Sequence, residues 1–514
     1  MLSVAYTSAM LGIDGYIVRV EADSSPGVPA FSIVGLPDRA LGESRERVRA
    51  AVINSGFAFP AGRLLINLSP SDVRKIGTGF DLPIALGLLA IDEHVKRATL
   101  HEFVALGELA LDGALRPIGA LLAMLLAVRA AGFTRVIVPQ ASVEEASLVE
   151  GLDIFAVPTL VDAVAVVRGH GAKWRRRVVV MAEADTGGAM AAAHGDFADV
   201  RGQVAAKRAL EIAAAGGHNV LLVGPPGCGK TMLAQRLPGI LPSMSRAESL
   251  EVTKIMSVAG MLGPVPRIVR TRPFRSPHHT ISHVALVGGG TIPKPGEISL
   301  ATGGVLHLDE LPEFSRATIE ALRQPLEERT VTVARAAGTF TYPARFMLVA
   351  SMNPCPCGYR GSRTHDCRCD DPTVARYVAK LSGPLLDRID MHVDVARVDF
   401  EDLVGGTAAE SSTSVRERVQ AARDVQRTRY NGTSVTNAEL PAAELRRSVH
   451  LDPASLALLE RASRAAHVSA RTFDRVVRVA RTIADLAGEP CITRPHIAEA
   501  LAYRSLERLS GRVA

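Results

Sequence analysis

"HNVLLVGPPGCGKTMLAQRL", residues 218–237, decides how the chain is read. Its "NVLLV" is an unbroken apolar run of the kind that fills the middle of a parallel sheet. Gly224, Pro225, Pro226, Gly227, Cys228, Gly229, Lys230 and Thr231 then fit G-x-x-x-x-G-K-[ST], and "TMLAQRL" opens a helix. Strand, glycine loop and helix in that order make a phosphate cradle. The glycines let successive backbone N–H groups turn inward, Lys230 neutralises the outer phosphates, and Thr231 offers its hydroxyl to Mg²⁺. ATP with Mg²⁺ is the expected ligand. Cys228 sits in a variable slot of the motif and reads as a small filler.

Such a loop needs a carboxylate to hold the metal. "GGVLHLDE" supplies an apolar strand, residues 305–308, that ends in Asp309 and Glu310. Asp309 would hold Mg²⁺ through water, and Glu310 would polarise the attacking water as general base. "RFMLVASMNP" is a third apolar strand with Asn353 at its C-terminal tip, where parallel strands converge on a ligand crevice. Asn353 would orient the water beside the γ-phosphate.

Directly after that tip, Cys355, Cys357, Cys367 and Cys369 form two C-x-C pairs, four of the six cysteines in the chain. Two short pairs joined by a loop suit a tetrahedral, structural Zn²⁺. C-x-C is tighter than the usual spacing. Arg360, Arg363 and Arg368 would favour thiolates and so also fit a redox role. Asp366 or His365 could replace one cysteine as ligand, which leaves the ligand set open.

Around this centre, 514 residues are too many for one core. Residues 1–168 alternate strand-like runs ("GYIVRVEA", "FSIVGL", "RLLINLS", "RVIVP", "DIFAV") with helical ones, which predicts a compact α/β domain. Residues 169–195 read as an Ala/Gly-rich linker, 196–398 as the P-loop α/β core, and 399–514 as a helical tail opened by the loop "GGTAAESSTSV". Hydrophobic residues at 47% and charged residues at 22% are the balance of a soluble globular protein. The net charge of +6 is modest for this size and only compatible with nucleic acid. No signal peptide or membrane-length apolar run is present, so a cytoplasmic protein is expected, where clustered cysteines serve as ligands more readily than as disulfides.

These elements in this order resemble an AAA+ ATPase. "RPFRSPHHTIS", "GGGTIPKPGEISLATGGVLHLDE", "LRQPLEERTVTVARAAG", "ASMNPCPCG" and "LSGPLLDRIDMHV" narrow the resemblance to the ComM/YifB group of magnesium-chelatase-like proteins, over nearly the whole chain. That resemblance implies a multidomain α/β protein: a Lon/ribosomal-S5-like first domain, an AAA+ parallel-sheet core, and an all-α lid. It also implies two hairpin inserts in the core, one in the second helix at "HVALVGGGTIPKPGEIS" and one before the Asn353 strand. The second is legible in the residues themselves, since "TVTVAR" and "TFTYPARF" alternate in period two. By resemblance the hairpins line a ring's pore, with Lys294 and Arg335 as candidate DNA contacts; two solvated basic residues on exposed loops are the alternative.

The resemblance places Arg388 of "LLDRID" as an arginine finger delivered to a neighbouring subunit, which implies a homo-oligomeric, hexameric ring. An Arg388 buried in its own chain, or a nucleotide lodged elsewhere, would overturn the motor picture. Arg471 would sense phosphate within its own chain, while Arg475, Arg478 and Arg481 read as a solvated or salt-bridged helix face. His278 and His279, taken as strand neighbours, would point to opposite faces. In the first domain, alignment on "IGTGFDLPIALGLLAI" puts Phe80 and Met124 where a Lon-type peptidase has its Ser and Lys, which excludes that chemistry. Ser69, Ser71 and Lys75 lie outside the pattern. Two functions then remain: an ATP-driven motor for single-stranded or branched DNA, with helicase or branch-migration activity, and a chelatase-type ATPase that remodels a protein partner.

Overall fold

The structure, a computed structural model, describes residues 1–177, 194–263, 265–290, 293–335, 338–362, 365–398, 409–433, 435–449, 451–466 and 470–504. Most of the segment read as linker, Arg363, and the last ten residues therefore lie outside the described residues.

The first region is a mixed eight-stranded sheet in the order Arg175–Arg177, Asp153–Val157, Arg135–Pro139, Phe103–Ala105, Leu2–Leu11, Asp14–Ser25, Arg63–Ser69, Ala30–Val34. The strand Leu2–Leu11, absent from the sequence reading, lies near its centre. It pairs antiparallel with Asp14–Ser25 and parallel with Phe103–Ala105. The helix Asp81–Ile91 is buried along its whole length, and Arg47 anchors its first residue by a two-pronged bond to Asp81. The expected linker begins as an edge strand, because Arg175–Arg177 pairs with Asp153–Val157. Phe80 and Met124 are buried in apolar cores, and the fully buried Lys75 spends its ammonium on the Val73 carbonyl (2.8 Å). Neither arrangement resembles a peptidase dyad.

The second region is built on the quoted run. Val220–Val223 is fully buried in a five-stranded sheet ordered Phe274–Arg275, Val305–Leu308, Met347–Met352, Val220–Val223, Met391–Asp394. Every pairing is parallel. Asn219 ties the strands together just before that run. Its side-chain oxygen accepts from the Leu348 N–H (2.9 Å), its amide donates to the Arg388 carbonyl (3.2 Å), and its backbone N–H donates to Asp390 (3.0 Å). Both expected hairpins are present. Gly288–Gly289 pairs antiparallel with Lys294–Pro295 between two short helices, and Thr330–Arg335 pairs with Gly338–Pro343.

The tail is helical, but "GGTAAESSTSV" is a loop only in part. Ser411 caps a helix, Ser412–Arg429, that packs on the P-loop helix Lys230–Ile240. A buried polar network locks this tail to the core: His218 with Thr482 (2.8 Å), Thr482 with Asn437 (3.0 Å), and Asn437 with Asp485 (2.8 Å). Arg481, which was expected on a solvated or salt-bridged face, is buried in an ion pair with Asp485. The amphipathic pattern of Ala470–Leu486 carries a guanidinium inward because a carboxylate waits there. The two α/β regions also touch. Ser257 donates to Glu145 (2.6 Å), Lys254 pairs with Asp14 (2.8 Å), and Ile13 is buried in the apolar core of the second region.

Candidate active site

Sheet register assembles the site. Val223 pairs with Met352 and Leu308 with Ala350, so the residues that follow these strands emerge side by side: the glycine loop, Asn353, and Asp309. Gly224 must be glycine, since a Cβ there would lie 2.3 Å from the Val395 carbonyl oxygen. Lys230 starts the helix and folds its ammonium back into the loop. It donates to the carbonyls of Gly224 (2.7 Å) and Pro225 (3.0 Å) and to Asn353 Oδ1 (3.1 Å). Phosphate oxygens would satisfy the same three donors.

Thr231 Oγ1 donates to Asp309 Oδ2 (2.7 Å), and Ser351 Oγ donates to the other oxygen of that carboxylate. Burial alone would raise the Asp309 pKa, but the bonds from Ser351 and Thr231 outweigh it and hold the carboxyl below the usual range. A hydroxyl and an ionised carboxylate converging on one point are the donor set a Mg²⁺ takes, so these residues fit the metal. Ser351 escaped the sequence reading. Only the register of its strand shows that a serine inside an apolar run faces Asp309.

Glu310 is held at φ +54°, a left-handed conformation that costs a non-glycine residue about 1–3 kcal/mol. Its half-exposed carboxylate stands beside the site, 4.0 Å from His279 Nδ1. The expectation that His278 and His279 point apart fails, because the strand ends at Arg275 and the pair lies beyond it, its rings 4.1 Å apart. His279 thereby becomes a neighbour of Glu310.

Two expected arginines are placed differently. Arg388 does not stand free for a neighbour. Its side chain is only 11% exposed, paired with Glu327 of its own chain and donating to the Pro384 carbonyl (2.6 Å). Arg471 is exposed at the start of its helix, close enough to Glu327 to help, after Arg388, in holding that carboxyl below its usual range. The cations Arg388, Arg471 and Arg475 thus surround Glu327.

The four cysteines come together as expected. Their Sγ atoms all lie within 4.8 Å of one another, with separations of 3.3 Å (Cys355–Cys357), 3.7 Å (Cys355–Cys367) and 3.6 Å (Cys357–Cys367). Zn–S bonds of about 2.3 Å in a tetrahedron place sulfurs about 3.8 Å apart, whereas a disulfide needs about 2 Å. The set therefore fits zinc. Backbone N–H groups of Tyr359 and Arg368 pull the Cys357 thiol down to about 6. His365 stacks on Tyr359 (4.9 Å) and, like Asp366, lies outside the sulfur cluster.

Lys294 and Arg335 are both exposed, on hairpins that approach each other. Arg335 Nη2 lies 2.9 Å from where a Cβ on Gly289 would sit, and Gly289 pairs across its hairpin with Lys294.

A parallel sheet in this order, with a P-loop, an Asp-Glu strand, an asparagine strand tip and a helical tail, defines an AAA+ ATPase. Family models described as "Magnesium chelatase, subunit ChlI", "Subunit ChlI of Mg-chelatase" and "Magnesium chelatase, subunit ChlI C-terminal" match residues 196–403, 20–142 and 409–504. The chain is 42% identical to the competence protein ComM of Haemophilus influenzae, over 100% of this chain and 99% of that protein. It is 43% identical to YifB of Escherichia coli, over 99% and 98%. It belongs to the ComM/YifB family of magnesium-chelatase-like ATPases. A more distant similarity, 25% identity over 56% of this chain and 39% of the other, reaches the DNA replication licensing factor mcm-5 of Caenorhabditis elegans. No helix among the described residues is long and apolar enough to cross a membrane.

Proposed function

We propose that the chain is an ATP-driven ring motor, built as a homohexamer, that moves single-stranded or branched DNA in the manner of a helicase or branch-migration enzyme. Lys230 and the loop amides hold the phosphates of ATP, and Thr231 with Asp309 holds Mg²⁺, which supplies charge neutralisation at the transferred phosphoryl group. Glu310 takes a proton from the attacking water, and Asn353 orients it. Zn²⁺ on Cys355, Cys357, Cys367 and Cys369 has a structural role.

The observation that supports the DNA reading is the approach of two hairpins: the Arg335 guanidinium reaches Gly289, the cross-strand partner of the exposed Lys294. Exposed cations on hairpins suit a phosphate backbone. The similarity to a DNA replication licensing factor supports it further. The covered Arg388 does not. A finger role requires it to leave Glu327 when subunits assemble, and the ring reading stands on the hairpins until that exchange is measured.

The family description favours a second reading, a chelatase-type ATPase that remodels a protein partner. The experiment is ATP hydrolysis with and without forked DNA. Stimulation that is lost in Lys294→Ala/Arg335→Ala supports the motor. Unchanged turnover, with no strand displacement, leaves the remodelling reading.

A further inference from the structure

The sulfur cluster and the nucleotide loop are in contact. Cys355 follows Asn353 by two residues and is fully buried in the core beneath the sheet's ligand edge. Between the two C-x-C pairs the chain doubles back through a turn, in which the Gly358 N–H donates to the Cys355 carbonyl (3.0 Å). That turn brings Gly358, at φ +86°, onto the glycine loop itself. A Cβ there would lie 2.6 Å from Pro226 Cδ and 2.8 Å from Cγ, and 3.9 Å from the Asn353 amide carbon. Asn353 in turn receives Lys230 (3.1 Å), and its backbone N–H is held by Tyr377.

We infer that a thiophilic divalent cation, Zn²⁺ by its donor set, serves this enzyme as a positioning element for ATP. Held by the four cysteines, it fixes the turn from Cys355 to Gly358, which keeps Gly358 seated on Pro226 and Asn353 aimed at Lys230. The physical reason is that, among the described residues between Asn353 and Asp370, no helix or strand holds the chain in shape. Four metal–sulfur bonds do so. A loop that drifts by an ångström takes Asn353 and Pro226 with it, and errors of that size at a reacting centre cost rate heavily. The inference rests on the nucleotide-site reading above and adds that the metal and ATP are coupled.

Neighbouring glycines make the test clean. Gly361 lies in the same loop, also at positive φ (+76°), with nothing within 4 Å of its would-be Cβ. Gly358→Ala and Gly361→Ala therefore impose the same kind of backbone cost, and only the first pushes on Pro226. The measurements on the full-length protein are zinc per chain, affinity for a non-hydrolysable ATP analogue, and ATP turnover. Gly358→Ala is expected to keep its zinc while losing about tenfold or more in analogue affinity or turnover, with Gly361→Ala at wild-type values. Cys355→Ser/Cys369→Ser, or wild type stripped by a chelator, is expected to lose zinc and analogue affinity together, and zinc returned to the stripped wild type restores both.

Any of the following results overturns the inference or the reading beneath it. If zinc-free protein binds the analogue and turns over ATP as well as the zinc form, or if Gly358→Ala matches Gly361→Ala, metal and nucleotide are uncoupled even though the zinc site stands. If wild type carries no metal and gains none, the zinc reading itself falls. If wild type binds zinc but no ATP analogue, the nucleotide reading is what has failed.

Discussion

Thr231 Oγ1 and Asp309 Oδ2 lie 2.7 Å apart, joined by a hydrogen bond although 78 positions separate them in the chain. The first lies in the opening turn of the P-loop helix and the second follows the strand Val305–Leu308, so their meeting depends on the order of the sheet. With Ser351 holding the other carboxylate oxygen, the pair forms a preset seat for one hard cation. Thr231→Ala is expected to raise the Mg²⁺ concentration for half-maximal ATPase by about tenfold or more, with ATP affinity at saturating Mg²⁺ less affected. A Mg²⁺ titration of turnover checks it. An unshifted midpoint would place the metal elsewhere.

Glu310 differs from Asp309 in every respect that matters to a base. It is half exposed and is held in a left-handed conformation beside His279. Glu310→Gln keeps shape and hydrogen bonding but cannot accept a proton. Turnover should fall by about 10²- to 10⁴-fold while ATP stays bound. Rapid filtration of labelled ATP against product formation separates the two effects. Turnover near wild type would move the base to another group.

How much of this was legible beforehand follows from the physics of each part. The P-loop could be read because the cradle's chemistry permits few residues, and a Cβ at Gly224 would collide with Val395 whatever the family. Asp309 and Asn353 were readable because apolar strands announce their own ends. The strand Leu2–Leu11 was not, because both of its faces are covered and it buries Ser3, Thr7 and Ser8 among its apolar residues, which erases the alternation that marks a half-buried strand. Ser3 repays its burial by donating to the Gly87 carbonyl (2.6 Å), a partner no local pattern reveals. Ser351, Glu327 and the place of His279 beside Glu310 were missed for the same reason: each matters only through a residue far along the chain.

Acid should destabilise the protein in two separable windows. His392 is buried in the last strand of the ATPase sheet. Burial, with Arg504 and Arg475 nearby and Asp390 opposing them, lowers it from 6.5 to about 3. Its folded value lies below its unfolded one, so the unfolded chain takes up the proton first. Stability is therefore full above pH 6.5 and falls as pH drops below that value. Asp390, by contrast, is held below 3.8 despite burial, chiefly by His218 and Arg475, and its contribution is lost only below that pH. Between pH 7 and 5, His392→Gln should lose about 1–2 kcal/mol less than wild type in urea unfolding. Identical slopes would show that His392 does not control this window.

Arg388 and Glu327 set the last test, because a finger role across a subunit boundary would require their pairing to break. Arg388 is covered, bonded to Glu327 and to the Pro384 carbonyl, while Glu327 keeps more than half of its side chain in solvent, with Arg471 and Arg475 nearby. An arginine delivered across a subunit boundary contributes about 10³-fold or more to turnover, so Arg388→Ala should be nearly inactive. Inactivity alone would not distinguish a finger from a structural ion pair. Mixing subunits does. Lys230→Ala lacks the phosphate cradle but keeps Arg388, and Arg388→Ala the reverse. If the arginine acts across the boundary, a mixed ring contains sites with one intact half from each chain, and ATPase should rise well above that of either variant alone. If Arg388 serves only its own chain, every site in the mixture has a defect and activity stays at the average of the two. Glu327→Gln gives the complementary sign: releasing a finger leaves or raises turnover of the assembled protein, whereas removing a structural partner lowers its thermal midpoint and its turnover together.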